Sequence, residues 1–85
     1  MHYVYVLADP GSGSVYYGFS SNLRRRLREH QTRLHVGWTL VYYEAYLDES
    51  DARERERKLK SYGAGRGHLK KRIERSLARA LKSAG

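Results

Sequence analysis

The chain has no cysteine. No disulfide and no thiolate zinc site can reinforce its core, and the absence fits an intracellular protein. It also lacks any apolar run long enough to span a bilayer, and no charged-then-apolar leader opens it. A soluble, cytoplasmic protein with no membrane partner is the expectation. There are no internal repeats and no long linkers, and 85 residues suffice for one small domain, 1–85.

Acid is scarce as well. Asp and Glu total 9 against 17 Lys and Arg, for a formal net charge of +8. Residues 51–85 carry 12 of the basic side chains and 4 of the acids, whereas residues 1–50 balance at 5 of each. In that first half every basic residue falls between Arg24 and Arg33, facing only Glu29. Positive charge is thus gathered into two helical regions, a pattern that attracts a polyanion through phosphate contacts and counterion release. A generic solvated surface would give the same count.

The order of elements reads ββαβαα. Tyr3 to Leu7 is rich in β-formers and reads as a strand. Asp9-Pro10-Gly11-Ser12-Gly13 signals a turn, and Val15 to Phe19 a second strand, so the chain opens with a hairpin. Ser20, Ser21 or Asn22 can cap a helix running to about Thr32, with Leu23 and Leu27 on its apolar side. Leu40 to Tyr46 is apolar and aromatic, which predicts a buried or central third strand. Asp48-Glu49-Ser50-Asp51 suits the start of a helix that ends near Ser61. Gly63, Gly65 and Gly67 should break it. A final helix from about His68 to Leu81 carries Leu69, Ile73, Leu77 and Leu81 in one stripe, within a basic C-terminal segment 68–82. The expected fold class is α+β: a small three-stranded antiparallel sheet flanked by helices.

Several residues could do chemistry. Tyr3 and Tyr5 share one strand face, and Tyr5 and Tyr16 could approach across the hairpin. Gly18 would leave open space beside them for a ligand backbone. Cross-strand tyrosines also simply stabilise sheets. Arg26 and His30 are four residues apart on one helix face, with Asn22 a turn earlier and Arg24, Arg25 and Arg28 pointing elsewhere. A guanidinium fork suits a phosphate and can offset charge developing on phosphorus. Helical position alone does not rank Arg26 above Arg25. Glu56 interrupts the Ala52, Leu59, Gly63 side of its helix, so it needs a cation: an arginine such as Arg26, or a divalent metal. One carboxylate with waters and substrate phosphate is a common way to hold Mg²⁺.

Together these residues resemble the GIY-YIG endonuclease family. The first motif corresponds to Tyr3-Val4-Tyr5 and the second to Tyr16-Tyr17-Gly18, and the likeness continues through Asn22, Arg26 and His30 to Ala52–Lys60. It spans a motif core of about 3–61. The resemblance implies a GIY-YIG-like fold and metal-dependent cleavage of a DNA phosphodiester, with Mg²⁺ or Mn²⁺ on Glu56. It assigns Tyr16 to the attacking water, Tyr5 to its support, Arg26 to the transition state, and His30 to positioning a phenol or the phosphate. A free phenol has a pKa of about 10, so one that serves as a base needs a neighbouring cation. Three departures stand out: Tyr3 replaces the first glycine, Phe19 replaces a common lysine, and no asparagine follows Glu56. They point to the small stand-alone bacterial branch rather than the repair or homing branches.

The leading expectation is a DNA endonuclease, selective for structure rather than sequence. Its substrate could be duplex, single-stranded or branched, and a homodimer or protein partner could add specificity. The alternative is a catalytically weak or inactive nucleic-acid-binding module on the same scaffold. A weaker third is a basic RNA-associated protein whose tyrosines stack bases. In each, Arg24, Arg25, Arg28, Lys70, Lys71, Arg72 and Arg75 would grip phosphates without reading sequence.

Overall fold

The computed structural model describes residues 1–30 and 37–82. Arg33 and the expected end of the first helix near Thr32 lie outside the described residues. The chain forms strands β1 (His2–Asp9), β2 (Ser14–Ser20) and β3 (Thr39–Tyr46), and helices α1 (Leu23–Glu29), α2 (Glu49–Ser61), α3 (Gly63–Arg72) and α4 (Glu74–Lys82). The sheet is antiparallel throughout, in the order β2-β1-β3. Among the described residues no helix is long and apolar enough to cross a membrane.

Local chemistry explains the punctuation. The β1–β2 turn closes on Asp9, whose carboxylate accepts from the Gly11 amide at 3.0 Å and the Ser12 hydroxyl at 2.8 Å. Gly13 finishes the turn at φ +75°, a conformation that favours glycine. Asn22 caps α1 by accepting from the Arg25 amide at 3.1 Å, and Asp48 caps α2 by accepting from the Ser50 amide at 2.8 Å.

Two expectations about the elements need correction. The central strand is β1, and β3 is an edge. Every residue from Val4 to Asp9 is buried, whereas β3 alternates half-buried with exposed residues. β3 looked continuous because its tyrosines count as apolar, but Tyr43 on one face is 53% exposed. β3 also bulges: the register slips between Val6 and Leu7, which pair with Tyr42 and Leu40 and leave Val41 extra.

The helical C-terminal half breaks differently too. The three glycines do not separate two helices; they begin α3, and the break is the single extended residue Tyr62. The Arg66 guanidinium reaches back to the carbonyls of Leu59 at 2.9 Å and Lys60 at 2.7 Å. Those last-turn acceptors of α2 are otherwise without helical donors, so Arg66 seals the corner. The chain bends again at the buried Ile73, and α4 then packs on β1 and β3. The expected single helix over 68–82 is therefore the end of α3 plus α4.

The two sheet faces differ. On one, Val4, Val6 and Tyr17 pack against Ala52 and Leu59 of α2, Leu69 of α3 and Ile73. On the other, Tyr3, Tyr5 and Leu7 look towards α1. The core face also holds an acid. Glu44 of β3, its side chain 15% exposed, accepts from the Tyr42 hydroxyl at 2.7 Å, the Tyr46 hydroxyl, and both Nε and Nη2 of Arg55 at about 3 Å. Burial alone would raise the Glu44 pKa, but the hydrogen bonds from Arg55, Tyr46 and Tyr42 hold it below the usual value of 4.5. These groups tie β3 to α2 across the core.

Glu44→Gln removes the charge and keeps the shape. It should cost about 2–3 kcal/mol of unfolding free energy at neutral pH, measured by urea denaturation. Because the folded pKa is depressed, this contribution is complete above pH 4.5 and is lost as pH falls through the lower folded value. The wild type should therefore lose stability more steeply than the variant below pH 4.5. Equal urea midpoints at pH 7 would show that the network adds no stability.

Candidate active site

Across the hairpin Tyr5 pairs with Gly18 and Leu7 with Tyr16, so the Tyr5 and Tyr16 rings meet on a diagonal, 6.1 Å between centroids. Gly18 leaves space for the Tyr5 ring and not for a ligand backbone. A Cβ on Gly18 would lie 2.5 Å from the Tyr5 Cζ and hydroxyl oxygen and 2.8 Å from Tyr16 Cε1. The expectation of an open space there is therefore corrected: the glycine is required by a side chain of the site itself.

His30, the last residue of the α1 turn structure, closes over both rings. Its Nε2 is 2.8 Å from the Tyr5 hydroxyl, and its ring centroid is 4.9 Å from that of Tyr16. Tyr5 is 1% and His30 5% exposed, while Tyr16 is 36% exposed. His30 thus holds the Tyr5 phenol by a hydrogen bond. Burial pushes the Tyr5 hydroxyl well above the usual phenol value, and the neighbouring Tyr16 adds to the shift, with Arg26 opposing it. Burial also lowers the His30 pKa, and the positive Arg26 lowers it further while Glu29 partly offsets this. The pair is therefore a neutral phenol held by a neutral imidazole. Tyr16 is the more exposed of the two phenols.

A cleft of about 410 Å³ opens on this pair, lined by Tyr5, Tyr16, Phe19, Ser20, Ser21, Arg25, Arg26, Arg53 and Glu56. Four elements thus bring Tyr5, Tyr16, Arg26 and Glu56 together. Arg25 also lines the cleft, contrary to its expected direction. Glu29 ties both arginines, 3.5 Å from Arg25 Nε and 3.5 Å from Arg26 Nη1. Asn22, expected on that face, is engaged as the α1 cap. Glu56, its side chain 20% exposed, has the cation it needs: Lys60 Nζ lies 3.0 Å from its carboxylate, one helical turn on. The expected Arg26–Glu56 pair is not formed.

Two cations, Arg53 in the cleft lining and Lys60 beside Glu56, were not singled out by sequence reasoning. Arg53 lies with its guanidinium 4.3 Å over the Phe19 ring and pairs with Glu49 at 2.8 Å. Lys60 pairs with Glu56 and stands 5.9 Å over the Tyr16 ring. The signal was available: Arg53 and Lys60 are three residues before and four after Glu56, hence on its side of α2.

Other candidates lie elsewhere. Arg24 and Arg28 are exposed on α1 but do not line the cleft. Lys70, Lys71, Arg72 and Arg75 are exposed on the helical layer behind the opposite sheet face. Lys71, Arg72 and Arg75 border a separate shallow groove of about 260 Å³. Among the described residues no group of three or more His, Asp or Glu side chains could cage a metal ion. The oxygen donors of the cleft, Glu56 with nearby hydroxyls, suit a hard cation held by one carboxylate and completed by water and phosphate.

The GIY-YIG catalytic domain is the family whose profile matches this chain, over residues 1–65. That span includes every cleft residue and stops short of Lys70. A protein designated UPF0213 in Haloquadratum walsbyi is 35% identical over 68 residues, covering 72% of this chain and 75% of that protein. No solved structure matches significantly.

Gly18→Ala should force Tyr5 off His30 and cost about 1–3 kcal/mol, read as a lowered urea midpoint. In the wild type the His30 ring should titrate below the ordinary 6.5 when followed by NMR. With its folded pKa depressed, the neutral His30–Tyr5 pair is intact above pH 6.5 and is lost as pH falls. An ordinary His30 titration, or an unshifted Gly18→Ala midpoint, would contradict this packing.

Proposed function

The chain belongs to the GIY-YIG nuclease family, and we propose that it is a divalent-metal-dependent endonuclease hydrolysing DNA phosphodiester bonds. The observation that carries this reading is the convergence of Tyr5, Tyr16, Arg26 and Glu56, from four separate elements, on one cleft. Arg26, with Arg25 and Arg53 beside it, would bind the scissile phosphate by guanidinium forks and offset charge as phosphorus becomes five-coordinate. Tyr16, the exposed phenol, would contact the attacking water and take its proton. Tyr5 would stay neutral and fix that water or Tyr16 by hydrogen bonding, itself positioned by His30. The new P–O bond forms from water as the bond to the leaving deoxyribose oxygen breaks. Glu56 would hold Mg²⁺ or Mn²⁺, with Lys60 swinging away; the bound cation supplies Lewis-acid polarisation of the phosphate and leaving oxygen.

Arg53 would supply the charge that many relatives place on a lysine at the Phe19 position. Phe19 instead serves as the platform on which that guanidinium rests. Arg24, Arg25 and Arg28, with Lys70, Lys71, Arg72 and Arg75, would hold flanking phosphates. Because the second group lies behind the sheet, a substrate reaching both would be bent or branched, which favours selection by structure rather than sequence. A cytoplasmic setting goes with this reading, and a homodimer or protein partner could add specificity.

One observation favours a second reading, a binding module without activity: Glu56 is already neutralised by Lys60. The two readings part in a cleavage assay on labelled duplex, single-stranded and branched DNAs with Mg²⁺, Mn²⁺ or EDTA. A nuclease should need metal, and Arg26→Ala or Glu56→Ala should each lower cleavage by about 10²-fold or more. Arg53→Ala should lower it about tenfold, the loss of one charge-assisted phosphate contact. Glu56→Ala should bind DNA at least as well as wild type. Metal-independent binding with no cleavage by either protein would establish the module instead.

A further inference from the structure

Tyr43 stands beside Tyr5 in the sheet, on the side away from Gly18, so Gly18, Tyr5 and Tyr43 form one row across the three strands. The catalytic cleft occupies the β2 side of that row. On the β3 side lies a second groove of about 380 Å³, bordered by Tyr3, Tyr43, Ser21, Leu23, Arg24 and Leu27. Ser21 borders both, so the two are neighbours on either side of that residue. We propose that this second groove is a nucleobase-stacking subsite that takes an unpaired base of the strand whose phosphate lies in the neighbouring cleft. The proposal rests on the nuclease reading for that last clause alone.

The lining has the chemistry of a base site. Tyr43 is 53% exposed, and its ring meets Tyr3 edge-on, centroids 5.9 Å apart at 64°. Among the described residues neither phenol hydroxyl has a hydrogen-bond partner. A fold does not need an exposed ring there: Tyr43 contributes nothing to the core, which lies on the other face of the sheet. Leu23 and Leu27 give the opposite wall an apolar surface for the flat face of a base. Arg24, exposed and in no ion pair among the described residues, stands at the rim where a phosphate would follow its base. Aromatic rings on one side, an aliphatic wall on the other and a cation at the edge suit a nucleotide. The volume lies at the small end of ordinary ligand sites, enough for one unit rather than a helix.

Tyr3 occupies the position of the first glycine in the family motif. That departure has no part in the cleavage chemistry, and it forms one wall of this groove. The groove also decides between substrates. A paired base is covered on both faces by its neighbours in the stack, so only an unpaired base can enter. The site therefore directs the nuclease to single strands, flaps or the unpaired arms of branched DNA.

The test uses the full chain in EDTA, where binding is read without cleavage. The probes are a short single strand carrying 2-aminopurine and the same sequence as a duplex. Stacking quenches 2-aminopurine fluorescence. Wild type should quench the single strand. Tyr43→Ala should lose the quench and bind the single strand about tenfold more weakly, the loss of one base–aromatic stack, with duplex binding unchanged. Tyr43→Phe should restore both, and Tyr3→Leu should reproduce part of the loss. Because Tyr43 is exposed, its removal should leave the circular dichroism spectrum unaltered. Unchanged single-strand affinity and quenching in Tyr43→Ala would overturn the subsite, as would equal weakening on both probes. A Tyr43-dependent single-strand preference in a protein that cleaves nothing with metal present would uphold the subsite and defeat the nuclease reading. Cleavage of single strands by Tyr43→Ala at wild-type kcat/KM would do the reverse.

Discussion

The hydroxyl of Tyr5 sits on the middle strand of the sheet, 1% exposed, and an unpartnered phenol there would cost about 1–3 kcal/mol. His30 removes that cost, and much of the local architecture follows from placing it. α1 must begin and end where its last turn comes down over the sheet. Ser20 accepts from the Asn22 amide at 3.0 Å to turn the chain, and Asn22 then caps the helix. Leu27 meets Leu7 from the same side, bordering a shared cavity with His30 and Trp38. On the adjacent strand, Gly18 is what lets the Tyr5 ring lie flat enough for the bond to form. The two most buried members of the site are thus a folding constraint before they are a chemical one. The charge-bearing members, Arg26 and Glu56, stand at the cleft that this constraint shapes.

Two acids show how the fold separates structure from chemistry. Glu44 is held by a bidentate arginine and two phenols on the core face, and losing its charge should cost about 2–3 kcal/mol. Among the described residues Glu56 pairs with Lys60, one helical turn on and 51% exposed. Pairs of that kind contribute about 0.3–0.5 kcal/mol. The first carboxylate is committed, and the second can be surrendered to a cation or a phosphate-bound metal at little cost. Lys60 keeps the acid compensated in the meantime.

The parts of this arrangement legible in sequence are those set by local chemistry. Asp9 and Gly13 mark the hairpin turn and Asn22 and Asp48 the helix starts, whereas Tyr5, Tyr16, Arg26 and Glu56 were grouped by the family resemblance and not by spacing alone. What was not legible depends on tertiary partners. Three glycines in a helix of 10 residues read as a break, yet Arg66 and the burial of Leu69 outweigh their propensity. β3 read as central because periodicity cannot tell a tyrosine facing a core from one facing solvent. Arg25 was aimed away from the cleft because an ideal helical wheel ignores a long side chain that bends back to Glu29. Arg53 was legible only in part: its spacing puts it on the Glu56 side of α2, but its rest on the Phe19 ring is a tertiary contact.

Sequence selectivity is a separate matter from cleavage, and composition argues against one route to it, the reading of adenine by carboxamides. Carboxamides are the side chains that read adenine edges by paired hydrogen bonds. The chain has one asparagine and one glutamine, and Asn22 is engaged in capping α1. On the proposed reading, the arginines of α1 and the basic residues of α3 and α4 would contact phosphates, which carry no sequence information. On the proposed reading, the domain would choose among DNAs by geometry: by whether a phosphate can enter the cleft while its neighbouring base leaves the stack. The row of Gly18, Tyr5 and Tyr43 joins those two conditions within one sheet face. Strand pairing fixes the separation of the cleft from the stacking ring, so distortion of the substrate, and not of the protein, would satisfy both at once.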